Sequence, residues 1–188
     1  NIKIMYPMIS SLEELHAANQ FLKEARLELE KEGKEYDKNL EIGIMIEIPA
    51  TLMIADELAS EVDFFSIGTN DLIQYMVAVD RNNEKIADRH TPYHPAVLRF
   101  IKKVIDAAHR NDIWVGMCGE AAGDELLLPV LLGLGLDELS MSAISILKTK
   151  KLLSKWTIAE AQEVAEKVLR SRTIMEVREE LEKNRKGC

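Results

Sequence analysis

Five apolar runs punctuate the chain, at residues 2–7, 42–48, 63–67, 113–118 and 138–142, and most of the segments between them carry apolar residues at helical spacing. Runs this short and this apolar read as buried strands, and their alternation with helices predicts parallel strands joined by helical crossovers. The second run is the most regular. Ile42, Ile44, Ile46 and Ile48 alternate with Gly43, Met45 and Glu47, so the isoleucines share one face of the strand and Glu47 takes the other. If the isoleucines pack under helices, Glu47 projects from the opposite face at the carboxyl end of its strand. The first helix is predicted over about residues 12–31, stopping at Gly33 ahead of a polar loop at 34–39. Pro49 suits the first turn of a helix bearing Leu52, Ile54, Ala55 and Leu58, and Pro95 opens another through Leu98, Ile101, Val104 and Ile105. The 126–136 run reads as a buried helix broken by Gly133 and Gly135, and everything after Thr157 as amphipathic helix. Capping boxes are predicted at Ser11 with Glu14, Thr157 with Glu160 and Thr173 with Glu176.

This element order is α/β and admits two architectures: an open doubly wound sheet, or part of a parallel (β/α)8 TIM barrel. A whole barrel takes about 250 residues, so the barrel reading makes these 188 residues one incomplete domain. The first strand begins almost at the first residue, with no initiating Met, which fits a fragment. The composition, 47% hydrophobic and 30% charged, suits a globular chain with a sizeable core. A net charge of -8 argues against nucleic acid or an anionic membrane as partner. No apolar run is long enough for a membrane span. The two cysteines, Cys118 and Cys188, are too few for a disulfide framework, so the cytoplasm is expected, with Cys188 an exposed thiol.

In α/β folds the carboxyl ends of the strands are where chemistry is placed. Glu47 lies at one such end, and a buried carboxylate is costly unless something pairs with it; a salt bridge to a core Lys or Arg is the plain structural alternative. The sequence 68–71, Gly-Thr-Asn-Asp, lies at the next end and reads as a turn delivering Asn70 and Asp71. Two carboxylates from neighbouring strand ends, with water and substrate oxygens completing the shell, suit Mg²⁺. Zinc is disfavoured, because Cys118 has no spaced Cys or His partner and His90, His94 and His109 fall on loops and helices away from the strand ends, as surface or capping residues. Cys118 closes a third strand, with Gly116 and Gly119 around it. It is either an inert small hydrophobe or a working thiol. A nearby metal and arginine would favour its thiolate, and crowding by carboxylates would keep it protonated. Arg81 offers a planar fork for phosphate or carboxylate, or else a surface salt bridge.

Three segments together resemble the phosphoenolpyruvate-utilising enzymes: Ile46-Glu47-Ile48-Pro49-Ala50; residues 63–75 around Gly68-Thr69-Asn70-Asp71, with Asp80-Arg81; and Gly116-Met117-Cys118-Gly119-Glu120. Within that family the chain is most similar to enzyme I of the bacterial sugar phosphotransferase system, over its whole length. The resemblance implies a (β/α)8 barrel, of which this chain supplies roughly strands 4 to 8, binding phosphoenolpyruvate and Mg²⁺ at its carboxyl face. Position by position it implies Glu47 and Asp71 as metal ligands, Asn70 and Arg81 as substrate-binding residues, and Cys118 as the proton donor that turns enolpyruvate into pyruvate. It also implies what these residues do not contain: further phosphate-binding arginines on earlier strands, and a phosphoacceptor histidine on an amino-terminal domain that docks the histidine-containing phosphocarrier protein. A homodimer is expected, because a half barrel leaves two sheet edges open. Rival readings are the corresponding domain of pyruvate phosphate dikinase or phosphoenolpyruvate synthase, a non-catalytic dimerisation module, and a metal-dependent lyase or aldolase that needs no thiol.

Overall fold

The computed structural model describes residues 2–186, so Cys188 lies outside the described residues. Five strands, β1 (Ile4–Tyr6), β2 (Ile42–Ile46), β3 (Phe64–Gly68), β4 (Trp114–Cys118) and β5 (Glu138–Leu139), form one parallel sheet in the order β1-β2-β3-β4-β5. Each strand pairs with the next in sequence, for example Gly43 with Phe64 and Gly68 with Cys118. A doubly wound sheet reverses its strand order at a switch point. Among the described residues there is no such reversal. The crossovers are α1 (Leu12–Lys31); a 3-10 segment, Pro49–Ile54, running into α2 (Ala55–Ala59); α3 (Thr69–Val77) and α4 (Pro95–Arg110); and α5 (Leu128–Leu134). After β5 come α6 (Ala143–Leu153), α7 (Ile158–Arg170) and α8 (Ile174–Lys183). No helix among the described residues is long and apolar enough to cross a membrane.

The two faces of the sheet differ sharply, as strand alternation requires. Ile44, Ile46, Phe65, Ile67, Val115 and Met117 are fully buried and join Leu15, Leu58, Leu98, Ile101, Ile105, Val130 and Val164 from the helices in one core. Each such side chain contributes about 1.5–3 kcal/mol over its exposed state. The opposite face carries Gly43, Met45, Phe64, Ser66, Gly68, Trp114, Gly116 and Cys118. Its amino-terminal end is filled by Phe64 stacked on Trp114 at 4.4 Å, with the Lys3 ammonium 4.9 Å over the Trp114 ring and paired to Glu41. Its carboxyl end carries small and polar side chains.

Several elements depart from the expectation in informative ways. No turn separates β3 from α3: Thr69, Asn70 and Asp71 form the first turn of that helix. Asn and Asp serve loops and helix starts alike, and the burial of Leu72 and Ile73 decides for the helix. Gly133 does not break α5. It lies inside the helix, where an added Cβ would come within 2.1 Å of the Ala161 carbonyl oxygen, so it is the point at which the α7 backbone approaches; Gly135, at φ +89°, ends the helix. The terminal helix is two helices, parted at residues 171–173, and α6 has no counterpart among the expected elements. Of the three capping boxes only Thr157 with Glu160 closes in both directions. At the other two the hydroxyl accepts as expected, but the glutamate reaches one residue further back, to the N–H groups of Ser10 and Arg172.

Stability should respond at two positions. Gly133→Ala adds helix propensity but drives a methyl into the α7 backbone, so denaturant unfolding should show a loss of about 1–3 kcal/mol; unchanged or increased stability would contradict this packing. Glu160 is held down to about 2 by the Thr157 N–H, then Lys186 and the Thr157 hydroxyl. A depressed carboxylate stabilises above its ordinary value of 4.5 and loses that contribution as pH falls towards 2. Glu160→Gln should therefore unfold at lower urea than the parent at pH 7, with the gap closing below pH 4.5; a gap independent of pH would show that the charge is not responsible.

Candidate functional site

Glu47 follows β2 directly and, as the isoleucine alternation requires, projects from the face opposite the helices. It is 3% exposed. Its Oε1 accepts the Met8 N–H at 2.8 Å, which ties the segment after β1 to the end of β2, with Met8 held at φ +57°. Gly68 provides the room. A Cβ there would lie 2.7 Å from Glu47 Oε2 and 2.8 Å from Met45 Sδ, so the carboxylate rests across the end of β3. Burial pushes the Glu47 carboxyl up, the Met8 N–H pulls against it, and the negative charge of Asp71 pushes it further up. Among the described residues Glu47 has no ion pair, so the core salt bridge that would be its plain structural role is absent there.

Asn70 and Asp71 lie in the first turn of α3, where a negative charge is favoured by the helix dipole. Asn70 Oδ1 accepts the Glu120 N–H at 3.2 Å. An N–H must be received by oxygen, so the amide NH2 is the end left to donate. The Asn70 carbonyl meets His90 Nε2 at 2.9 Å, which makes that nitrogen the donor. His90 is therefore part of the site's surroundings, contrary to the expectation that placed it away from the strand ends. His94 caps α4 by accepting the Ala96 N–H, and His109 pairs with Asp137 on the surface, as expected of them. Arg81 comes back towards the site after Ala78 ends α3 in a left-handed conformation. Its N–H is held by Gln74 Oε1 at 3.2 Å, and its Nη1 stands 3.8 Å from Asp71 Oδ1.

Cys118 is the last residue of β4 and stands beside Gly68 in register. Its carbonyl accepts from Thr69 Oγ1 at 2.9 Å. Burial pushes the thiol up, a hydrogen bond with Ser66 opposes this, and the charges of Glu47 and Glu138 raise it again. Of the two environments considered for this thiol, the carboxylate-crowded one is what surrounds it here.

The five side chains singled out in the sequence thus gather at the carboxyl ends of β2, β3 and β4. Glu47 lies over Gly68, Cys118 is paired with Gly68 from the other side, the charge of Glu47 reaches the thiol and that of Asp71 reaches Glu47, and Arg81 is attached through Asp71. Other contributors do not stand out in the sequence: the Met8 N–H is backbone, and Gly68 and Thr69, although within the Gly-Thr-Asn-Asp stretch, read as turn residues, whereas Gly68 is needed for its missing side chain. Glu138 lies one strand further on; a Cβ on Gly116 would come within 2.4 Å of its Oε2. Among the described residues no group of three or more His, Cys, Asp or Glu side chains could enclose a metal. Glu47 and Asp71 are two carboxylates from neighbouring strand ends, a donor set that Mg²⁺ uses together with water and substrate oxygens.

A family model described as "PEP-utilising enzyme, PEP-binding domain" matches residues 1–158. The chain is 53% identical over 177 residues to a phosphoenolpyruvate-protein phosphotransferase of Bacillus subtilis, covering 94% of this chain and 31% of that protein. Proteins of the same name from Listeria monocytogenes, 51% identical over 97% of this chain and 32% of theirs, and from Enterococcus faecalis, 50% identical over 94% and 31%, agree. The chain therefore spans about a third of the length of these relatives. With most of its length matched, it belongs to the family of PEP-utilising enzymes, within their PEP-binding domain.

Proposed function

We propose that this chain is the phosphoenolpyruvate- and Mg²⁺-binding part of a cytoplasmic phosphoenolpyruvate-protein phosphotransferase, forming strands 4 to 8 of a (β/α)8 barrel. The observation that carries the reading is the placement of the Glu47 carboxylate and Cys118 on either side of the bare Gly68, with Asp71, Asn70 and Arg81 at the same strand ends. The unreversed strand order supports the barrel. So do the two edges: α1, after β1, exposes Phe21 and Leu27, and α6, after β5, exposes 89% of Ile144 and 80% of Leu147. These apolar residues suit burial against further barrel strands and helices, and an open edge also favours a second copy. The relatives' printed names favour the phosphotransferase over pyruvate phosphate dikinase or phosphoenolpyruvate synthase.

Glu47 Oε2 and an Asp71 oxygen would hold Mg²⁺, since Oε1 is already engaged by Met8. The ion would neutralise charge on the phosphoryl group and on the developing enolate. Arg81, freed from its long contact with Asp71, would grip phosphate oxygens with its fork, and the Asn70 NH2 would donate to the substrate. As the phosphorus–oxygen bond breaks and the phosphoryl group passes to a histidine elsewhere in the protein, electrons fall back to the enolate. Its methylene carbon then takes the Cys118 proton, leaving thiolate and pyruvate. A thiol pushed up by burial is still protonated at neutral pH and can do this. In such a protein the histidine would pass the phosphoryl group to the histidine-containing phosphocarrier protein.

In the full-length protein, Cys118→Ala should reduce turnover by about 10²-fold or more while calorimetry finds Mg²⁺-dependent phosphoenolpyruvate binding intact. Asp71→Asn should instead lose the Mg²⁺ dependence of binding. Binding lost with Cys118→Ala, or turnover retained, would contradict the acid role. Alkylation by iodoacetamide, followed by peptide mapping, should find Cys118 slow at pH 7 and still accelerating at pH 9, the ordinary thiol value; a rate already at its plateau there would contradict the protonated thiol.

A further inference from the structure

We propose that Thr69 is a positioning residue for Cys118: its hydroxyl fixes the backbone at the end of β4 and so sets where the thiol stands in the mouth of the site. This rests on the proton-donor reading of Cys118 given above. Thr69 is fully buried, at the first position of α3, and its hydroxyl does not cap its own helix. It reaches instead to the neighbouring strand and donates to the Cys118 carbonyl at 2.9 Å. One residue on from Thr69 and two on from Cys118 the link is repeated, because Asn70 Oδ1 accepts the Glu120 N–H. Gly119 lies between the two bonds at φ +88°, and a Cβ on it would come within 2.4 Å of Thr69 Oγ1 and 3.1 Å of Asn70 Oδ1. The 118–120 segment is thus clamped to the first turn of α3 by two hydrogen bonds, with a glycine that allows the close approach.

The clamp matters because a cysteine has one rotatable bond between backbone and sulfur, so the Cys118 backbone sets the few places the sulfur can occupy. Cys118 is the last residue paired in the β4 ladder, and the Thr69 hydroxyl holds its carbonyl where the segment leaves the strand. A displacement of about 1 Å in a reacting group can cost about 10²-fold in rate. Substrate affinity should change little, because Glu47, Asp71 and Arg81 are held by other contacts and Asn70 keeps its own hydrogen bond from the Glu120 N–H.

The test uses the full-length protein and two substitutions: Thr69→Val, which keeps the shape and deletes the donor, and Thr69→Ser, which keeps the donor. The readouts are turnover, Mg²⁺-dependent exchange of pyruvate methyl protons with D2O by NMR, and phosphoenolpyruvate affinity by calorimetry. Exchange needs the proton donor but not the phosphoacceptor histidine. Thr69→Val should lower turnover and exchange by about 10- to 100-fold with affinity within about twofold, and Thr69→Ser should restore most of the loss. Should Thr69→Val fold poorly, Thr69→Ala, which deletes the same donor and leaves Gly119 and Asn70 untouched, should show the same split. Unchanged exchange in a folded Thr69→Val or Thr69→Ala, or an affinity that falls in proportion to rate, overturns the positioning role. Cys118→Ser separates the two layers: if it leaves exchange intact the proton-donor reading itself fails, and if it abolishes exchange while Thr69→Val does not, only the clamp is wrong.

Discussion

A buried carboxylate held by one backbone N–H governs this end of the sheet. Glu47 is removed from water, accepts from Met8, and feels the negative charge of Asp71. Each of these facts except the N–H raises the free energy of its charged form. A fold selected for stability alone would place an apolar side chain here, as β2 does at every isoleucine. The arrangement makes physical sense when a cation is to be shared between Glu47 and Asp71, because a divalent ion reverses the sign of the interaction that otherwise makes them poor neighbours.

The architecture places the cost where it is useful. The isoleucines of β2, Phe65 and Ile67 of β3 and Val115 and Met117 of β4 go to the helix side, and the other face carries glycine, serine and cysteine near the carboxyl ends, with Met45 beside Gly68. The absence of a side chain at Gly68 lets the Glu47 carboxylate lie over the end of β3, and the left-handed Gly119 lets the β4 end fold against α3. Main-chain geometry, set by the core, thus carries the site from below. Cys118 is placed in the same way: its carbonyl is bonded to Thr69, and burial together with the charges of Glu47 and Glu138 pushes its thiol up against the Ser66 hydrogen bond.

Much of this is legible in the chain. The period-two pattern of isoleucines determines the side of Glu47, because only one face of β2 can be apolar. The strands and the helices beginning at Leu12 and Pro95 follow from local signals. Residues 69–71 read as a turn because Asn and Asp favour turns and helix starts equally, and only the burial of Leu72 and Ile73 distinguishes them. Helix α6 is invisible for a different reason: Ile144 and Leu147 face away from the core of this chain, so no apolar stripe points to it. Contacts such as Thr69 with Cys118, or Met8 with Glu47, join segments tens of residues apart and leave no local trace.

The central claim is that Glu47 and Asp71 share one ion beside Cys118. A crystal structure of the full-length protein with Mg²⁺ and phosphoenolpyruvate should show Glu47 Oε2 and an Asp71 oxygen within about 2.1 Å of the same ion, with the Cys118 sulfur facing the methylene carbon. An ion bound away from Glu47, or substrate lying on another face of the sheet, would contradict it.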